Sequence, residues 1–149
     1  MRRMVASLLA VVIDCTDSRS QARFWAVVLG GRVSERNAGE FEVSGSPGVG
    51  TPLYFMNVPE RKSLKNRVHI DITTDGPLQV EIDRLVEAGA TLIELRQDPS
   101  ELENPDTWAV MHDPERNEFC VLDASTVTGM SQPKPLPPNA GMSAPELLH

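Results

Sequence analysis

Aromatic side chains are scarce in this 149-residue chain, at 5%, with one tyrosine and two tryptophans. Positive charge is in deficit as well: 14 Lys and Arg stand against 21 Asp and Glu, for a net charge of −7. A phosphate-backbone partner calls for a basic, aromatic-interleaved face, so nucleic acid is not an expected partner. Cysteine is limited to Cys15 and Cys120, too few for a disulfide framework, and each lies in an apolar strand pattern. A reduced, cytoplasmic setting is therefore expected. The apolar run Met4 to Ile13 covers ten residues, too few to span a bilayer. Arg2-Arg3 before it resembles the start of a signal peptide, but no small-residue cleavage site follows, and Asp14 precedes Cys15. The run is read as a buried first strand, with no membrane partner.

What is present is ordinary for a folded domain: 40% apolar and 23% charged residues. The charge is unevenly spread. Residues 1–65 carry nine Lys and Arg against six Asp and Glu, whereas residues 66–125 carry four against fourteen. Such asymmetry would favour head-to-tail contact between copies, in keeping with an expected homodimer; two solvated faces of different charge are the plainer reading of it.

Periodicity predicts a first strand over 5–15 and a helix over 18–29. Ser18 and Gln21 are read as its capping box, Ala22, Trp25, Ala26 and Leu29 as its apolar stripe, and Gly30 as its C-cap. Strands at 32–36, 40–44 and 52–58 follow, separated by turn-rich segments. The same order recurs. A strand at 66–74 leads through Pro77 into a helix with the stripe Leu78, Ile82, Leu85 and Val86, ended by Gly89; strands at 90–95, 107–111 and 117–122 complete it. The acidic, proline-marked loop 96–105 is read as a lid or a plain exposed loop. Repetition of strand, helix and three strands predicts an α+β fold of paired βαβββ modules, 5–58 and 66–123, forming one domain over 1–125 with helices on the outer face of a cupped mixed sheet. A proline-rich arm fills 126–149.

Strand alternation separates an apolar set, packed under the helices, from an opposite set. That opposite set gathers Asp14, Tyr54, Met56, Arg67, His69, Asp71, Glu118 and Cys120 into a candidate small-molecule cleft. An open, solvated sheet face has the same pattern.

Three groups of motifs then stand out. Phe24-Trp25 precedes Val28-Leu29-Gly30; Val58-Pro59-Glu60 precedes Lys65-Asn66-Arg67-Val68-His69-Ile70-Asp71; and Trp108-Ala109-Val110-Met111 precedes Asp113-Pro114-Glu115 and Asn117-Glu118-Phe119-Cys120. In these the chain resembles, over roughly residues 5–123, the vicinal oxygen chelate superfamily of glyoxalases, bleomycin-resistance proteins and extradiol dioxygenases, and more narrowly its glyoxalase-like domain proteins. Arg116 departs from the resemblance, standing where such a turn often carries glycine. The resemblance implies paired βαβββ modules around a cleft, with metal ligands in some relatives on the first and last strands of each module. Those places fall here on Ala10, Met56, His69 and Cys120, of which only His69 is an ordinary ligand for such a site. A catalytic zinc or iron centre takes about three His, Cys, Asp or Glu ligands. The usual metal is therefore expected to be absent, and no cofactor is expected.

The expected function is binding of a small organic molecule in the cleft, with or without catalysis. If the protein is an enzyme, His69 with Asp71 or Asp14 would be its acid–base group in an isomerase or lyase step, and Tyr54, Met56, Arg67, Glu118 and Cys120 would contact ligand. A histidine bracing the sheet, an inert buried Cys120, and an Arg67 that merely neutralises nearby acids are the plain alternatives. Two further ones are a ligand-sequestering protein like the bleomycin-resistance relatives and an unconventional zinc site of His69, Cys120 and a carboxylate.

Overall fold

The computed structural model describes residues 6–47, 50–97 and 107–124. The first module runs β1 (Val11–Cys15), α1 (Ser18–Leu29), β2 (Arg32–Asn37), β3 (Glu40–Ser44) and β4 (Leu53–Asn57). The second runs β5 (Ile70–Thr74), α2 (Leu78–Ala88), β6 (Thr91–Gln97), β7 (Thr107–His112) and β8 (Glu118–Asp123). Each module forms a four-stranded sheet of the same order, β1-β4-β3-β2 and β5-β8-β7-β6. The first and last strands pair in parallel and the others antiparallel. The fold is α+β, two mixed sheets with paired βαβββ modules, as the repeat implied. The segment 126–149, read as an arm, and most of the acidic loop lie outside the described residues.

Alternation places Cys15, Leu53, Phe55, Ala109, Met111, Phe119 and Val121 in the core, under the helices. The core is shared. Trp25 and Phe24 of α1 pack edge-on against Phe119 of β8, with ring centroids 5.2 and 6.2 Å apart. A helix of the first module therefore covers a strand of the second, and burial of each such ring contributes about 2–3 kcal/mol.

Four local readings differ from expectation. The first strand begins at Val11 rather than residue 5, and Leu8 and Leu9 before it are exposed. The ladder with β4 starts at Val11↔Leu53, and the described residues before it, 6–10, join no strand. The N-cap of α1 is Asp17, whose carboxylate accepts from the Ser20 amide and hydroxyl. Ser18 instead donates its hydroxyl to the Gly39 carbonyl, and Gln21 is buried against Asp113, so neither serves as a capping box. Fifty residues on, β5 starts at Ile70, not Asn66, because the parallel ladder with β8 begins at Ile70↔Phe119 and the preceding residues are held elsewhere. Val86 of α2 is exposed, leaving Ile82 and Leu85 as the buried stripe.

The helices are also tied to each other. No basic residue lies in the last turn of α1. Arg84 of α2 fills that role, donating to the Val27 and Val28 carbonyls at 3.1 and 3.3 Å while Glu81 grips its other edge. The bond to Glu81 also raises the Arg84 pKa. A cation at exposed C-terminal carbonyls offsets the helix dipole, so Arg84→Met is expected to lose about 1 kcal/mol, with Arg84→Lys recovering part of it. Urea titration checks this; a neutral Arg84→Met would show the bonds to be incidental.

Candidate functional site

The sheet face away from the helices in the second module encloses a cleft of about 610 Å³. Alternation builds it. In β8, Glu118, Cys120 and Leu122 face the cleft while Phe119 and Val121 enter the core. In β7, Trp108, Val110 and His112 do the same against buried Ala109 and Met111. The β6–β7 register shifts between Leu92 and Glu94, so consecutive residues Ile93 and Glu94 both line the wall. Lys65, His69, Asp71 and Arg96 complete the lining.

His69 Nδ1 lies 3.0 Å from Asp71 Oδ1. An ionised carboxylate only accepts, so the bond places a proton on Nδ1, and in the neutral ring the lone pair is then on Nε2. Asp71 is in register with Cys120 on the neighbouring strand. Burial first, then the Asp71 charge and its hydrogen bond, push the Cys120 thiol up to about 11, against the weaker pull of Arg96 and Lys65. Cys120 is a protonated thiol at neutral pH, a poor nucleophile on its own. Burial and surrounding acids push Cys15 up to about 12 in the same way.

Glu118 forms the seam between the cleft and the linker joining the modules. Its Oε2 accepts from the Asn66 amide at 3.0 Å and pairs with Lys62 at 3.0 Å. Burial opposes its charge, but these donors together outweigh burial and hold the carboxyl at about 2.

The eight residues expected in one cleft are thus divided. His69, Asp71, Glu118 and Cys120 line the 610 Å³ cleft. Asp14 does not; it borders a cavity of about 210 Å³ between β1 and β5, where it shares a wall with His69. Tyr54 lies beneath the Arg36 guanidinium, 5.6 Å from its ring centre, while Arg36 pairs with Glu42. Tyr54, Met56 and exposed Arg67 line neither cavity. Sequence reading missed Lys65, Ile93, Glu94, Arg96, Trp108, Val110, His112 and Leu122 as wall residues. Sorting β7 by the alternation applied to β8 would have found three of them.

Of the four positions that the resemblance assigns to metal ligands, two offer no ordinary ligand. Ala10 has no donor, and Met56 offers a thioether from the other sheet. A different trio is close: ligand atoms of His69, Asp71 and Cys120 lie within 4.8 Å of one another. Imidazole, carboxylate and thiolate are all zinc ligands, so these three residues fit a zinc-type ion with one position open.

A family model described as "Glyoxalase-like domain" matches residues 10–122. The chain belongs to that family. Several solved structures share its fold. A glyoxalase/bleomycin resistance protein/dioxygenase family enzyme from Burkholderia phytofirmans PsJN is similar at 23% identity and a TM-score of 0.61, over 79% of this chain and 98% of that one. A fosfomycin resistance protein from Mesorhizobium loti is similar at 14% identity and a TM-score of 0.62, over 86% and 100%. A lactoylglutathione lyase from Agrobacterium tumefaciens is similar at 12% identity and a TM-score of 0.55, over 82% and 96%. At these identities the likeness is one of fold. No curated protein matches the chain. Among the described residues no helix is long and apolar enough to cross a membrane.

Proposed function

We propose that this glyoxalase-like domain binds a small organic molecule in the cleft of its second sheet, without the usual metal of its metal-dependent relatives. The observation that carries the reading is one wall combining Trp108, Val110 and Leu122 with the His69–Asp71 pair. Apolar surface supplies affinity and a few convergent polar groups fix orientation, the usual form of a small-ligand site. His69 is the acid–base group, holding a proton at Nδ1 through Asp71 and taking or giving one at Nε2. The reaction class is an isomerase or lyase step, carried out by a cytoplasmic homodimer.

Screening small metabolites by thermal shift identifies the ligand, because a ligand in excess of its dissociation constant raises the unfolding temperature. With that ligand, His69→Ala is expected to keep its fold and its affinity within a few-fold while turnover falls by about 10²-fold or more. An unaltered rate would remove His69 from the chemistry and leave a sequestering protein of the bleomycin-resistance kind.

One observation favours a second reading, the approach of His69, Asp71 and Cys120 to a common point. A zinc-type ion held there would supply Lewis-acid chemistry, and the three side chains would bind and orient it. The two readings separate by elemental analysis and zinc titration of the apo protein. The first expects no stoichiometric metal and no shift in unfolding temperature with zinc; the second expects a shift that Cys120→Ser abolishes.

A further inference from the structure

Arg116 closes the turn between β7 and β8 with φ 69°, and among the described residues it is the one non-glycine residue with positive φ. A side chain is strained in that left-handed backbone and glycine is not. The turn is held nonetheless: the Arg116 amide donates to the Asp113 carbonyl, and the Asp113 carboxylate accepts from the Glu115 and Asn117 amides. A strained residue fixed by its surroundings points to a use for its side chain.

That side chain borders a pocket of about 250 Å³, shared with Lys62, Ser63, Leu64, Lys65, His112 and Glu118. Lys65, His112 and Glu118 also line the 610 Å³ cleft, so the pocket continues the cleft toward the linker. Its charge is lopsided. Glu118 is taken by Lys62, and no carboxylate among the described residues pairs with Lys65 or Arg116. Two cations with no ion-pair partner among the described residues thus sit at one end of a cleft in a chain of net charge −7.

We propose that Arg116 and Lys65 form an oxyanion subsite at the mouth of the cleft. The ligand is then an amphiphile, with its apolar body on Trp108, Val110 and Leu122 and a carboxylate or phosphate reaching the 250 Å³ pocket. A guanidinium fork grips two oxygens of either anion and a lysine adds a point charge. A glycine in that turn would be relaxed but would offer the anion nothing. This inference rests on the reading of the cleft as a binding site and names its ligand class.

Calorimetric titration of the full chain tests it, with phenylacetate and phenyl phosphate as anionic probes and 2-phenylethanol as the neutral one. Charge-assisted hydrogen bonds imply that at least one anionic probe binds about tenfold tighter than 2-phenylethanol. Arg116→Gly is expected to erase that preference while leaving 2-phenylethanol affinity unchanged, and Lys65→Met is expected to erase the preference as well. Arg116→Gly is also expected to raise the unfolding temperature, since glycine relieves the turn. Which anion binds tighter tells carboxylate from phosphate.

Equal affinity for anionic and neutral probes, or a preference that survives in Lys65→Met or Arg116→Gly, overturns the subsite. An Arg116→Gly protein that loses stability together with the preference assigns Arg116 to packing of the turn and overturns it as well. Trp108→Ala separates the two levels. If 2-phenylethanol binding is lost in Trp108→Ala but no anion preference exists, the cleft reading stands and the subsite fails. If no probe binds the parent protein, both fail.

Discussion

Asp113→Ala is expected to destabilise the protein by about 3–5 kcal/mol, a large share of the stability of any single domain. Asp113 is 3% exposed, and its carboxylate is satisfied by neutral donors from both modules. Oδ2 accepts from Gln21 Nε2 at 2.8 Å and Trp25 Nε1 at 3.2 Å on α1. Oδ1 accepts the Glu115 and Asn117 amides at 3.0 and 2.9 Å, and Asn117 Nδ2 reaches both oxygens. Alanine leaves all of these donors without their acceptor, and each unmet buried donor costs about 1–3 kcal/mol before relaxation. Asp113→Asn is expected to be milder, about 2 kcal/mol. Its amide would face two donors, but Gln21 Oε1 has no partner among the described residues and can turn to accept. Urea unfolding with an unchanged m-value is the measurement. A loss under about 1 kcal/mol for Asp113→Ala would show that the contact between α1 and the turn is dispensable. Because the same turn leads into β8, ligand affinity in the cleft is expected to fall with stability.

Acid is expected to release the linker from the cleft. Glu118 is held at about 2, below its ordinary 4.5, so the ionised form favours the folded state. Its contribution is full above about 4.5, declines as pH falls through the window, and is gone below about 2. The size is about 3 kcal/mol at most by linkage. Asp17, lowered by its bonds to Ser20, adds a slope of the same sign, so the difference between parent and variant is the informative quantity. Glu118→Gln is expected to be less stable at neutral pH and to converge on the parent near pH 2. Lys62→Met should shrink the difference without abolishing it, since the Asn66 amide remains. Parallel stability curves for parent and Glu118→Gln from neutral to acid pH would sink the account.

Fold and site were not equally legible. Gly30 and Gly89 end the two helices as the pattern indicated, both with positive φ. The alternation in β1, β4 and β8 put the right residues under the helices. Gln21 misled, because Ser-x-x-Gln at a helix start reads as a capping box until the partner 92 residues away is known. Ile93 was hidden by a register shift that no periodicity within β6 reveals. Lys65 lies outside every strand and becomes a cleft wall where the linker folds back onto Glu118.

The sequence by itself determined the repeated module, the α+β class and the face taken by residues of the regular strands, because side-chain direction along an unbulged strand follows from local geometry alone. Its His69-Ile70-Asp71 spacing also put a histidine and a carboxylate two residues apart on one face, within hydrogen-bond reach. Only the tertiary structure decided which strands are neighbours. It put Cys120 beside Asp71, set Tyr54 and Met56 on the other sheet, and brought Gln21 and Trp25 to Asp113. Those outcomes depend on pairing register and on packing between modules. Both are long-range choices, made by burial of a shared core, that no local pattern encodes.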